Sequence, residues 1–374
     1  LERVIKRLYN WEEIMKIGIA FCGEGRGHLT RTIAVARRLK GKHELVFWCT
    51  ENRWDELTAA FPDAPIHLLP HMHFTMEDYA VRFIKTGISN LRNVCSYPWW
   101  IRRLTKECGA EGIDLVLSDW EPFLSRVADR AGMPLVLLNH PGMVLSDSTL
   151  SLPAFYARMA ARAMMPASGR KIICSFYNGT VGPILREEIQ QVSRSDEGFF
   201  ILYAREEIRE RLIQVLSHVP DIKVKVFPND EEDFVTEFGR CSGLITSAGH
   251  QIISEALYLK KPCFVIPFGG QHEQRMNAGM LLRSGWGDFA EIDDVEKPLK
   301  RFVQEVGEKM YPKRADRGMD FIFKDETQRV VDIIEEELVG EKTTILDYPA
   351  LPTGARYMVN SSSPSTPRRV STFS

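Results

Sequence analysis

The chain contains no apolar run long enough to span a bilayer, and its first residues show no apolar core of a secretion signal. It also lacks any CxxC pair. Its seven cysteines, Cys22, Cys49, Cys95, Cys108, Cys174, Cys241 and Cys263, are scattered and odd in number. This argues against a zinc ribbon or a disulfide framework and fits reduced thiols in the cytoplasm. There is no excess charge of one sign. The formal net charge is -2, whereas a bulk nucleic-acid binder is usually basic, so no nucleic-acid partner is expected.

What remains is ordinary globular material, and enough of it for two cores: 374 residues, 44% hydrophobic and 26% charged. Residues 16–21 (KIGIAF) form a short apolar run, followed by the glycine-rich CGEGRG. Leu29, Ile33, Ala36 and Leu39 then recur at helical spacing, and 44–49 reads as a second strand. This is the opening of a βαβ unit. Runs at 114–117 and 134–138 add two buried strands, with a helix over 121–131 between them. After NGTVGP at 178–183, which reads as a linker, a second series begins. Strands are expected at 199–203, 224–227, 244–246 and 263–267, alternating with helices at 206–216, 231–238, 250–259 and 273–283. A last helix is expected over 317–338. The fold class is therefore α/β, with two Rossmann-like parallel-sheet domains facing across a cleft.

The expected divisions are an extension at 1–14, a first domain at 15–178, a second at 181–340 and a low-complexity tail at 341–374. Met15 reads as a natural start, and the extension carries no expected function. Residues 75–108 and 153–171 interrupt this pattern with aromatics and bases: Phe74, Tyr79, Phe83, Tyr97, Trp99 and Trp100 with Arg82, Lys85, Arg92, Arg102 and Arg103, then Phe155, Tyr156, Met159, Met164 and Met165 with Arg158, Arg162, Arg170 and Lys171. Two readings stand: core packing with solvated charges, or a greasy basic surface that meets a membrane or a lipid-linked acceptor.

Three motifs carry candidate chemistry. In CGEGRGHLTR (22–31), Gly25, Arg26 and Gly27 let a ligand approach the backbone at a helix start, and His28 offers a general base in the first turn. The loop has neither the Gly-Lys-Ser/Thr of a Walker loop nor a clean GxGxxG fingerprint. In LSDWEPF (117–123), Asp119 ends a strand at the same sheet edge and can orient His28. The competing reading makes Ser118 or Asp119 a helix cap. In the third motif, a strand ends at Thr246-Ser247 and Ala248, Gly249 and His250 open a helix, a geometry suited to a diphosphate. Glu255 lies one turn beyond Gln251 and can accept a ribose diol. Gln271, His272, Glu273 and Gln274 follow the PFGG loop and offer polar groups to sugar hydroxyls.

At these residues the chain resembles the GT-B glycosyltransferases. It looks like the branch with plant and bacterial UDP-glycosyltransferases and the lipid-linked N-acetylglucosamine transferase of peptidoglycan synthesis. GEGRGHLTR resembles their glycine–histidine loop, SAGHQIISEAL their nucleotide-binding segment and PFGGQHEQRMNA their sugar-contacting loop. LSDWEPF and VGPILREEI resemble a prokaryotic subgroup of transferases. The resemblance spans about residues 16–338.

It implies an inverting, metal-independent hexosyl transfer from a UDP-sugar to a hydroxyl acceptor, lipid-linked or in the cell envelope, with no cofactor and an enzyme that is cytoplasmic or peripheral on the inner membrane face. The chain's lack of a DxD or metal-ligand cluster agrees. His28 and Asp119 take the catalytic roles. Phe227, Pro228 and Asn229 meet the base, Ser247, Ala248, Gly249 and His250 the diphosphate, Glu255 the ribose, and Gln271, Glu273 and Gln274 the sugar. Where the plant signature has tryptophan and serine, this chain has His250-Gln251-Ile252, which leaves donor sugar and acceptor open. Two alternatives remain: a sugar-nucleotide epimerase of the same fold, and a non-catalytic nucleotide-sugar or lipid-binding protein.

Overall fold

The computed structural model describes residues 14–72, 75–77 and 80–338. Residues 1–13 of the expected extension at 1–14, the expected tail at 341–374, and Phe74 and Tyr79 lie outside them.

Six strands form the first sheet, in the order β3-β2-β1-β6-β7-β8, all parallel. They are β1 (Lys16–Phe21), β2 (Glu44–Cys49), β3 (Ile66–Leu68), β6 (Leu115–Asp119), β7 (Leu135–Asn139) and β8 (Arg170–Ile173). β1 and β2 are buried along nearly their whole length, as strands covered by helices on both faces must be. The strand order reverses between β1 and β6, which opens a crevice at their C-terminal ends. The helices that matter for the site are α1 (Gly27–Leu39), α2 (Tyr97–Glu111), α3 (Leu124–Ala131) and α4 (Leu152–Met164). Arg37 and Arg38 close α1, where positive charge complements the helix dipole.

The second sheet runs β10-β9-β11-β12-β13, again all parallel: β9 (Phe200–Tyr203), β10 (Val224–Phe227), β11 (Gly243–Ser247), β12 (Cys263–Ile266) and β13 (Gly287–Phe289). Its reversal lies between β9 and β11. α5 (His250–Leu259) leads off from β11 there, and α6 (His272–Ser284) follows β12 beside it. The α/β class expected from the sequence holds. β3, β8 and β13 are additions, each only three or four residues long.

Two further differences concern the connections. Residues 75–108, the first stretch of aromatics and bases, contain a small antiparallel hairpin of β4 (Met76–Glu77) and β5 (Ala80–Val81) before the helices. The last described helix, α7 (Thr327–Leu338), falls within the stretch assigned to the second domain. Yet it buries Val330, Val331, Ile333 and Ile334 in the core of the first, beside Val35 and Leu39 of α1. The chain thus crosses between domains twice. The outgoing segment at 176–185 and the returning one at 321–326 are joined by Ile322 N–H to Phe176 O, Glu326 N–H to Pro183 O, and Gly182 N–H to Glu326 Oε2. The linker expected at 178–183 thus lies in one of two paired crossing segments.

Candidate active site

The ends of β1 and β6 lie side by side, with Phe21 in register with Asp119. Beyond β1 the chain turns through Gly25, whose φ of +69° suits glycine. Arg53 donates to the carbonyls of Gly23 and Gly25, and Asn52 also donates to Gly23, which fixes the loop from below. Arg26 turns aside to pair with Glu56 at 2.6 Å. α1 starts at Gly27.

His28 stands in the first turn, its Nδ1 2.8 Å from Asp119 Oδ1. Arg31, one turn on, grips the same carboxylate twice: Nε to Oδ2 at 2.6 Å and Nη2 to Oδ1 at 2.7 Å. Arg31 and Asp119 are buried, while His28 keeps a small exposed edge. Burial by itself would raise the Asp119 pKa. Arg31 and then His28 outweigh it and hold the carboxyl below its ordinary range. Burial lowers His28, Asp119 opposes that, and Arg31 adds to it, so the ring's pKa falls below its ordinary value. A neutral imidazole is the form that accepts a proton.

The capping alternative for Asp119 resolves in favour of another residue. Glu121 accepts the N–H groups of Phe123 at 2.7 Å and Leu124 at 2.8 Å, so it caps α3. Ser118 donates to Glu121 O. Both Asp119 oxygens therefore remain with His28 and Arg31. Trp120 between them has φ +56°, an uncommon conformation for a large side chain at a strand-to-helix turn.

Across the cleft, β11 ends at Ser247 and Gly249 N–H returns to Ser247 O. α5 then begins at His250 with no side-chain cap, which leaves its first amides without intrahelical partners. A Cβ at Gly249 would lie 3.8 Å from its nearest neighbour, so neither φ nor packing demands glycine there. Its effect is to keep the approach to those amides open. The two helix starts abut: a Cβ on Gly27 would stand 3.2 Å from the Cβ of Gln251.

Around this point lies a cleft of about 1210 Å³, lined from both domains. Gly25–His28 and Arg31 line it, as do Phe227–Asn229, Ser247, Gly249–Ile252, Glu255 and Gly270–Gln274. Ala248 is fully buried beneath it.

The individual roles differ from simple exposure. The His250 ring turns inward, stacks on His140 at 3.7 Å and accepts the Phe176 N–H. Burial lowers it well below its usual pKa. Its contribution to the cleft is its backbone. Glu255 is buried and held by Arg186 through bonds of 3.0 and 2.7 Å, with Gln251 on one oxygen at 3.1 Å. Any ribose must share that carboxylate. Phe227 packs in the core against Phe234, and Asn229 closes its own turn on Glu231 and Glu232. Gln274 pins the Phe268 amide at 3.0 Å. Glu273 is a third exposed in the cleft wall; desolvation pushes it up to about 7 against the pull of Arg31.

Sequence reasoning missed several participants. Arg31 had a readable signal, since i and i+3 share a helix face. Arg186 lies in VGPILREEI, a segment noted only for its resemblance. His140, Tyr177 and Asn277 form a buried interdomain cluster: Asn277 Oδ1 meets His140 Nε2 at 2.8 Å and Tyr177 Oη at 2.9 Å, while its Nδ2 holds Ala248 O at 3.1 Å. His272 is committed to Asp147 of the first domain. Nothing local in the sequence marks these cross-domain partners.

Two parallel sheets that meet on one cleft, each with a helix start aimed at it, define the GT-B class of glycosyltransferases. The profile of glycosyl transferase family 1 matches residues 15–230 and 221–307, and the chain belongs to that family. No curated protein matches it. Among solved structures it is similar to the glycosyltransferase of kitacinnamycin (TM-score 0.54, 14% identity, 87% of this chain and 99% of that one). It is also similar to LpCGTa, solved with UDP (TM-score 0.54, 13% identity, 87% and 99%). A third is a UDP-glucosyltransferase from Polygonum tinctorium (TM-score 0.52, 14% identity, 87% and 94%). These likenesses show the fold. The chain is a glycosyltransferase of GT-B fold.

Proposed function

We propose that the chain moves a sugar from a nucleoside-diphosphate sugar, uridine being the favoured base, to a hydroxyl acceptor with inversion. The acceptor oxygen attacks the anomeric carbon as the bond from that carbon to the diphosphate breaks. The bonding pair leaves with the diphosphate, and the acceptor's proton passes to Nε2 of His28. Asp119 steadies the ring, and the start of α5 stabilises the charge on the leaving group. Glu273, Gln271 and the Gln274 amide meet sugar hydroxyls, and Glu255 meets the ribose. The backbone of Phe227–Asn229 meets the base. The observation that carries this reading is the His28–Asp119 contact of 2.8 Å in the same cleft as the start of α5. UDP bound to a neighbour of the same fold supports the choice of nucleotide.

The test is incubation with a panel of UDP-sugars and hydroxyl acceptors, following UDP release and product anomer. Inverted product supports the reading. Epimerised sugar formed without acceptor points to the isomerase alternative, and a UDP-sugar that binds without turning over points to the binding protein.

The acceptor side suggests a membrane-facing role at the cytoplasmic surface. Ile88, Leu91, Val94 and Trp99 are exposed on the helices after β3, and Leu150, Leu152, Phe155 and Met159 on and before α4. Residues 80–106 and 148–186 contain bases and no Asp or Glu, which suits anionic lipid. Among the described residues no helix is long and apolar enough to cross a membrane. Co-sedimentation with anionic but not zwitterionic vesicles supports peripheral docking; equal partitioning to buffer opposes it.

A further inference from the structure

Three polar atoms meet beside His28. Arg31 Nη2 lies 2.7 Å from Asp119 Oδ1 and 2.7 Å from His28 Nδ1, and those two lie 2.8 Å apart. The triangle is nearly equilateral, so Nη2 sees its two neighbours about 60° apart. The two N–H bonds of a planar guanidinium nitrogen diverge by about 120°. Nη2 can aim a proton well at only one neighbour. The parallel Nε–Oδ2 bond of 2.6 Å commits it to the carboxylate, the side-on fork typical of Arg–Asp pairs. Nδ1 is then left to donate to the same oxygen.

We propose that Arg31 is the positioning residue of the base: its fork turns Asp119 so that Oδ1 receives the His28 Nδ1–H, which fixes the ring as the tautomer with its Nε2 lone pair toward the cleft. A lysine could supply the charge but not the fork. The inference rests on His28 being the base, and it adds a cost to that role. When His28 takes a proton, an imidazolium forms beside a guanidinium. Arg31 therefore makes His28 a weaker base that stays available to lower pH. The other groups facing the ring are Asp119 from the end of β6 and Glu24 from the glycine loop, which pull the opposite way, and His140 from the end of β7, which burial keeps neutral.

The test is ¹⁵N NMR of histidine-labelled, substrate-free protein, so it needs neither donor nor acceptor. In the parent chain His28 should show protonated Nδ1 and bare Nε2. In Arg31→Met its titration midpoint should rise by about one pH unit, and the two tautomers should mix. Arg31→Lys should keep the low midpoint yet mix the tautomers. A folded Arg31→Met with unchanged midpoint and tautomer overturns the proposal, as does protonated Nε2 in the parent. Should Arg31→Met fail to fold, Arg31→Lys decides: an Nδ1–H tautomer as fully populated as in the parent overturns the fork's role. Transfer kinetics separate the two readings. If His28→Ala keeps full transfer while the NMR shifts occur as described, Arg31 still positions the ring but the ring is not the base.

Discussion

The helix starts at Gly27 and His250 face one cleft but are furnished in opposite ways. At the first, three titratable or charged side chains, His28, Arg31 and Asp119, lock together within hydrogen-bond distance. At the second, the side chains are withdrawn: His250 packs inward on His140, Glu255 is occupied by Arg186, and Gly249 presents bare backbone. The contrast suits the two roles proposed for these ends. Moving a proton requires a side chain held in one tautomer and one orientation. Holding a diphosphate requires donors and a dipole, which a helix start supplies without any side chain.

The comparison breaks most visibly at His28. His28→Ala should lower transfer by about 10²- to 10⁴-fold while the thermal shift produced by UDP is kept; loss of both would erase the division of labour. Asp119→Asn comes next. It leaves the buried Arg31 without its counter-charge, so denaturant unfolding should show a loss of about 3–5 kcal/mol. A loss under 1 kcal/mol would mean the pair is not structurally coupled.

At the second helix start, Gly249→Ala should fold, because a Cβ there has room. It should weaken UDP by about tenfold, or 1.4 kcal/mol, in a calorimetric titration; unchanged affinity would mean the diphosphate lies elsewhere. The smallest effect concerns Glu273, whose carboxyl sits near 7. It is protonated below that pH and ionised above it, and the ionised form accepts sugar hydroxyls better. Affinity for UDP-sugar relative to UDP should therefore rise a few-fold from pH 6 to pH 8, and Glu273→Gln should flatten the rise.

Much of this arrangement is legible in local pattern. Runs such as KIGIAF and LVLSD are apolar because both sheet faces are covered, and a glycine loop after a strand announces a helix start. Asp119 and His28 could be paired because both follow from strand ends of one sheet. The parts that escape are those decided by distance across the chain. Arg186 meets Glu255 from 69 residues away, and His140 meets Asn277 from 137. The α7 helix is amphipathic in either domain; only its fit beside Val35 and Leu39 sends it back to the first. Glu121 as the cap of α3 was hidden because three neighbouring residues, Ser118, Asp119 and Glu121, all have capping chemistry. Only the side chains' partners separate them.

The proposed reaction takes the proton in the first domain and holds the leaving group in the second. The most direct measurement is the single-turnover transfer rate against pH at saturating donor. A His28 base lowered by burial and Arg31 gives an acidic limb whose midpoint lies below the ordinary imidazole value. A midpoint near 7 that Glu273→Gln abolishes would put the base in the second domain and contradict it.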